Sequence, residues 1–166
     1  MAETETLYGT TGQVVTAYVK NYPYFIAPQQ TTVTILANGT ALVEYFYRRQ
    51  QFTLNVVAGT GIQSVTGSGT YNYEQEVEIS MVVAEGYNTG KWTITSGAEL
   101  GNLNVNKLKL KIFIGAGNTV ITATATANTY IVEYHQNGGT GSMAPSTHTY
   151  NVEKVLTLNT YTKKGY

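Results

Sequence analysis

Residues Tyr130 to Tyr166 can be laid over Phe52 to Tyr87, and no other property of the chain restricts its fold as much as this internal duplication. Phe52-Thr-Leu-Asn-Val matches Tyr130-Ile-Val-Glu-Tyr, and Gly59-Thr60-Gly61 matches Gly139-Thr140-Gly141. Thr70-Tyr71 then falls on Thr149-Tyr150, Glu74 on Glu153, Val77 on Leu156, Ile79 on Leu158 and Gly86-Tyr87 on Gly165-Tyr166, with one residue of slippage near the glycines. Arrays of short repeated modules serve more often as scaffolds and binding surfaces than as catalysts. After Gly86-Tyr87 the earlier copy runs on into Lys91-Trp92-Thr-Ile-Thr and further strand-like runs, whereas the later copy stops at Gly165-Tyr166. The later copy is therefore expected to be a half-module whose strands lack partners, and the chain a slice of a longer protein.

Composition narrows the class. Charged residues make up 12% of the chain and the formal net charge is zero, so no long-range field draws it to nucleic acid or an anionic membrane. With 17 glycines, 14 tyrosines and only three prolines, the chain reads as strands separated by turns, all-β or mainly β. Cysteine is absent, which removes disulfides and thiolate zinc sites together. No apolar run approaches the ~18 residues that a spanning helix needs.

Alternation places the strands. Gln13 to Val19 reads as a strand, Tyr22-Pro23-Tyr24-Phe25-Ile26-Ala27-Pro28 as a loop or edge segment, since neither proline can donate to a ladder. Thr32-Val-Thr-Ile-Leu, Asn38-Gly39 and Ala41 to Tyr47 give strand, turn and strand. Asn-Gly tolerates the positive φ that a type I′ hairpin turn demands at both central residues. Arg48-Arg49-Gln50-Gln51 reads as a solvated junction. Phe52 to Val57 is a strand, with a shorter one at Ile62 to Val65. Glu76 to Val83 sets Val77, Ile79, Met81 and Val83 on one face and Glu76, Glu78 and Ser80 on the other. Lys91 to Thr95 turns Trp92 and Ile94 inward, Gly97 to Asn106 is an irregular loop with a helical turn at Ala98 to Leu100, and Lys107 to Ile114 alternates lysine with Leu108, Leu110, Ile112 and Ile114. Its lysine row could hold an acidic polymer, but we read it as a solvated edge that discourages aggregation. Thr119 to Ala127 completes the series. Units follow one another with hardly any linker, so the expected form is elongated and semi-rigid.

Tyr130-Ile-Val-Glu-Tyr-His-Gln-Asn-Gly-Gly-Thr-Gly-Ser-Met143, with Thr149-Tyr150 and Tyr161-Thr-Lys-Lys-Gly-Tyr166, resembles the first half of the Listeria–Bacteroides repeat, the internalin B-repeat type of β-grasp module. Phe52 to about Ala127 resembles a divergent version of the same repeat, with Gly86-Tyr87 and Lys91-Trp92 at the expected places. Residues 6–47 are similar, more faintly, to the mucin-binding-protein module. The resemblance implies three β-grasp-like units in tandem: 1–49 mucin-binding-protein-like, 50–128 divergent B-repeat-like and 129–166 a truncated repeat. It also implies a non-catalytic stalk or adhesion segment of a bacterial cell-surface or secreted protein. The partners implied are host or cell-wall proteins or glycans; separately, the unpartnered strands of the truncated unit, Tyr130–Tyr166, suggest self-association by docking on a neighbouring chain.

Chemistry is sparse. A Ser/His/acid triad would have to draw on His135 or His148 with Glu133 or Glu153, and no G-x-S-x-G elbow is present. The two histidines could make a metal pair across a hairpin, yet two ligands without a third are not a site. Glu74, Glu76 and Glu78 cluster, but the last two share one solvated face, against the facing carboxylates that glycoside cleavage needs. We therefore assign no catalytic residue, metal or cofactor. An isopeptide crosslink from Lys20 or Lys91 has no spacing signature behind it. The candidate ligand-binding residues are the aromatics Tyr22, Tyr24 and Phe25, which could form a platform for sugar rings in the accessory module of a larger secreted enzyme, or plug the first unit's core. Tyr45 and Tyr47 share a face opposite Phe46, so one of these sets must be exposed or covered by a neighbour.

Overall fold

The computed structural model describes residues 4–97 and 108–165, so most of the loop expected over Gly97 to Asn106, with its helical turn at Ala98 to Leu100, lies outside the described residues. The described residues contain strands and no helix, as the all-β composition requires. They form two compact units, Met1–Gln51 and Phe52–Tyr166.

The first unit has no fully buried residue among those described. Strand β1 (Val14–Ala17) pairs antiparallel with β3 (Thr31–Thr34), and β2 (Phe25–Ile26) with β4 (Arg48–Arg49). The arginine pair expected to be a solvated junction is exposed but also serves as a short strand. The Asn38-Gly39 hairpin is not formed. Gly39 N–H donates to the Leu36 carbonyl at 3.1 Å and only Gly39 has positive φ, so Asn38 sits at the third position of a turn whose glycine follows it. Asn38 Oδ1 is instead taken by the N–H and hydroxyl of Thr40. Residues 41–47 form no ladder and are fixed through hydroxyls. Tyr45 donates to the Ala17 carbonyl at 2.5 Å and accepts the Thr31 N–H at 3.1 Å, and Tyr47 donates to the Lys20 carbonyl at 2.7 Å. Phe46, on the opposite face, is 78% exposed.

The second unit holds the core. Strands β5 (Gln51–Ala58), β7 (Gly69–Asn72), β9 (Tyr87–Ser96) and β11 (Thr119–Ala127) make a mixed sheet in the order β7-β5-β11-β9, with β5 and β11 parallel at its centre. Strands β6 (Ile62–Thr66), β8 (Glu76–Val83) and β10 (Lys109–Phe113) make a second, antiparallel sheet with β8 in the middle. The inward sets read from the alternation, Val77, Ile79 and Met81 of β8, Ile112 of β10 and Trp92 of β9, meet Leu54, Val56, Ile121 and Ala123 in one cluster. Burying a ring the size of Trp92 removes roughly 150–250 Å² from water, about 4–6 kcal/mol at ~25 cal/mol per Å². Leu108, expected on the same inward face, is 51% exposed just before β10 begins.

The two matching stretches share part of their path. In the earlier copy β5 lies beside β7, and in the later copy β12 (Thr129–Val132) pairs antiparallel with β13 (Ser146–Thr149). The Ala84 N–H donates to the Gly61 carbonyl at 2.9 Å, and one residue before the matching positions, Thr140 and Thr162 form an antiparallel bridge. Positive φ recurs at Gly61 and Gly141, and at Gly86 and Gly165. Their turns slip further than the sequence match suggests: the left-handed residue is Glu74 in one and Asn151, two places before Glu153, in the other. The copies then part. Val77 and Ile79 are 7% and 0% exposed, whereas Leu156 and Leu158, which match them, are 56% and 83% exposed, because no described strand flanks them as β6 and β10 flank β8.

Candidate binding surfaces

Tyr22, Tyr24 and Phe25 do not form a coplanar platform. Tyr22 is half-buried and packs edge-to-face on Tyr47, with centroids 5.0 Å apart and planes at 80°. Phe25 is half-buried in β2, opposite Arg49. Tyr24 alone is exposed, at 41%. It occupies the third position of a turn closed by the Phe25 N–H on the Tyr22 carbonyl, with Pro23 at the second position and its own φ at 63°. Proline second and positive φ third is the signature of a type II turn, which normally takes glycine where this chain has tyrosine. A bulky side chain in that region costs about 1–2 kcal/mol.

Of the lysine row, Lys107 lies outside the described residues, and Lys109 and Lys111 each face a glutamate. Lys111 Nζ lies 2.6 Å from Glu76 Oε1 and Lys109 Nζ 3.6 Å from Glu78, so the two charged faces that alternation gives separately to β10 and β8 neutralise each other across the ladder. The hydrogen bond to Glu76, and then its charge, holds the Lys111 ammonium above its ordinary pKa.

The histidines are divided. His148 Nε2 is 2.8 Å from Ser146 Oγ, which is 2.8 Å from the Tyr134 hydroxyl, and that oxygen accepts the Thr157 N–H at 3.1 Å. The bonds from Ser146 and Thr157 favour the phenolate and hold Tyr134 below the usual tyrosine pKa, with the Lys154 charge adding to them. His135 instead faces Glu133 at 4.0 Å. The chain His148–Ser146–Tyr134 thus has a serine and an imidazole in contact, but the phenol bonds the serine and not the imidazole, so it does not take the place of a triad's acid. Among the described residues no three acidic or histidine side chains gather as a metal site.

Two features escape the sequence reading. Asn137-Gly138, the second Asn-Gly pair, has both residues at positive φ, 44° and 80°, under a Gly139 N–H to Gln136 carbonyl bond of 2.9 Å. The type I′ geometry expected at Asn38-Gly39 is built here. Beside this turn lies a groove lined by Tyr134, Tyr161, Gln136, Asn137 and Asn159. The other feature is the joint between the copies. Asn128 donates its N–H to the Gly86 carbonyl and accepts the Tyr150 N–H, each at 2.8 Å, and its Oδ1 accepts from Asn88 Nδ2 at 2.5 Å. The Tyr150 ring lies over Gly86 and edge-to-face on Tyr87, with centroids 5.6 Å apart.

No family model, curated protein or solved structure matches the chain. Among the described residues no helix is long and apolar enough to cross a membrane.

Proposed function

We propose that the chain is a non-catalytic structural and adhesive segment of a bacterial cell-surface or secreted multidomain protein, built from repeats of the Listeria–Bacteroides type. The observation that carries this reading is the joint at Asn128. There the last strand of one copy passes into the first strand of the next with a single residue between them, and that residue is hydrogen-bonded to both sides. A spacer that transmits force or holds a fixed reach needs such a junction, since a flexible linker would let the modules swing. Backbone ¹⁵N relaxation tests it. Residues 52–97 and 108–127 are expected to tumble with the same correlation time as residues 129–165, and two separate correlation times would overturn the spacer reading.

The second reading, a carbohydrate-binding accessory region of a larger secreted enzyme, is favoured by Tyr24. A tyrosine held outward where glycine would be easier is a strained residue of the kind that collects at ligand contacts. Its neighbours Tyr22 and Phe25 are half-buried, so Tyr24 would act as a single stacking ring.

A further inference from the structure

The groove beside Asn137-Gly138 has a volume of about 390 Å³, within the range of small-ligand sites. Its floor is fixed. The Tyr161 hydroxyl donates to the Tyr134 carbonyl at 2.6 Å, the Tyr161 N–H donates to Asn159 Oδ1 at 2.9 Å, and the Tyr134 hydroxyl is held by Ser146 and Thr157. Its rim is chemically uncommitted. The side-chain amides of Gln136 and Asn137 make no hydrogen bond within the described residues, although the type I′ turn fixes the backbone that carries them. Asn159 spends its oxygen on Tyr161 and keeps both amide hydrogens. Glu133 and His135, 4.0 Å apart, supply a carboxylate and an imidazole to the same lining.

A ligand for this surface must offer donors and acceptors side by side to planar amides, bring no strong charge, and present an apolar face to tyrosine. A polyhydroxylated ring does all three: vicinal hydroxyls both donate and accept, and the C–H face of the ring packs on an aromatic one. Phosphate or nucleotide fits less well, because no lysine or arginine is in the lining, which carries the Glu133 carboxylate, and Lys163 Nζ lies outside it beside Gly138. We infer that the groove is a saccharide-binding site, in which Gln136, Asn137 and Asn159 contact ring hydroxyls and Tyr161 provides the packing face. This deepens the adhesive reading and rests on it, while using none of the residues around Tyr24.

Titration of the ¹⁵N-labelled protein with cellohexaose and, separately, with hexa-N-acetylchitohexaose tests the site. The expected result with at least one sugar is saturable shifts confined to residues 133–137 and 157–161. Gln136→Ala and Asn137→Gly, the latter keeping the turn, should each weaken binding at least about fivefold, the discrimination carried by one or two polar contacts. Tyr24→Ala, in the other compact unit and outside the groove lining, should leave the affinity within about twofold, as expected of an independent site. Shifts with neither sugar, or shifts that survive both groove substitutions, overturn the inference. Shifts centred on Tyr24 overturn it too but leave adhesion standing, and the relaxation measurement at the joint is unaffected by any of these results.

Discussion

At the scale of single residues, Tyr134 ties three separate segments of the later copy together. Its hydroxyl joins β13 through Ser146 to the segment at Thr157, and its carbonyl takes the Tyr161 hydroxyl. Donors aimed at the oxygen favour the phenolate, so the group is the stronger acid in the folded chain. A folded pKa below the unfolded one means that ionisation adds stability only above the ordinary tyrosine value near 10, and that this gain is lost as pH falls through the folded pKa; at neutral pH the titration contributes nothing. Ultraviolet difference titration should therefore show one tyrosine ionising ahead of the rest, and Ser146→Ala should return it towards the ordinary range. A titration in Ser146→Ala identical to that of the unaltered protein would show that the network does not tune the phenol. None of this was legible in the sequence. His148 and Ser146 suggest chemistry only as an i, i+2 pair, and nothing local indicates that Tyr134, twelve residues before Ser146, meets them.

At the scale of elements, the strands that alternate between apolar and polar residues were the readable ones. Glu76–Val83 and Thr119–Ala127 form as strands over the expected residues, because one face of each must leave water and a shift of one position would bury the glutamates of the first. Asn-Gly misleads for the complementary reason. The turn chemistry is local, but a hairpin also needs two strands that prefer each other, and β3 takes β1 while residues 41–47 bond through tyrosine hydroxyls. Asn137-Gly138 has the same dipeptide and takes the type I′ geometry without a hairpin, since β12 before it pairs with β13 and Thr140 after it bridges to Thr162. The joint is a further case in which a local residue carries a non-local demand. Gly86 lies at φ 79° and a Cβ there would overlap the Tyr150 ring. Gly86→Ala should cost about 2–3 kcal/mol, combining left-handed strain with overpacking. In urea denaturation, adding Tyr150→Ala should recover the overpacking part, so the double substitution should be less destabilising than the sum of the two single ones. Additive effects would mean that the ring does not press on Gly86.

At the scale of the whole molecule, the later copy leaves in water the apolar side chains that its match in the earlier copy buries. Val155, Leu156 and Leu158 are 86%, 56% and 83% exposed in a segment with no ladder among the described residues, while β8, its match in the earlier copy, is paired on both sides. Unpaired backbone beside exposed leucines is a template for another strand. The chain has no net charge to keep copies apart. A second copy offering the same segment gives an isologous contact in which each strand completes the other's sheet and the leucines leave water together. Sedimentation equilibrium between micromolar and millimolar concentration should accordingly show mass rising from monomer towards dimer. Leu156→Lys with Leu158→Lys should hold the protein monomeric without touching the core around Trp92, since both leucines are already exposed in the single chain. A monomer throughout that range would mean that the exposed segment is protected by its irregular backbone, and that self-association is not how it covers its leucines.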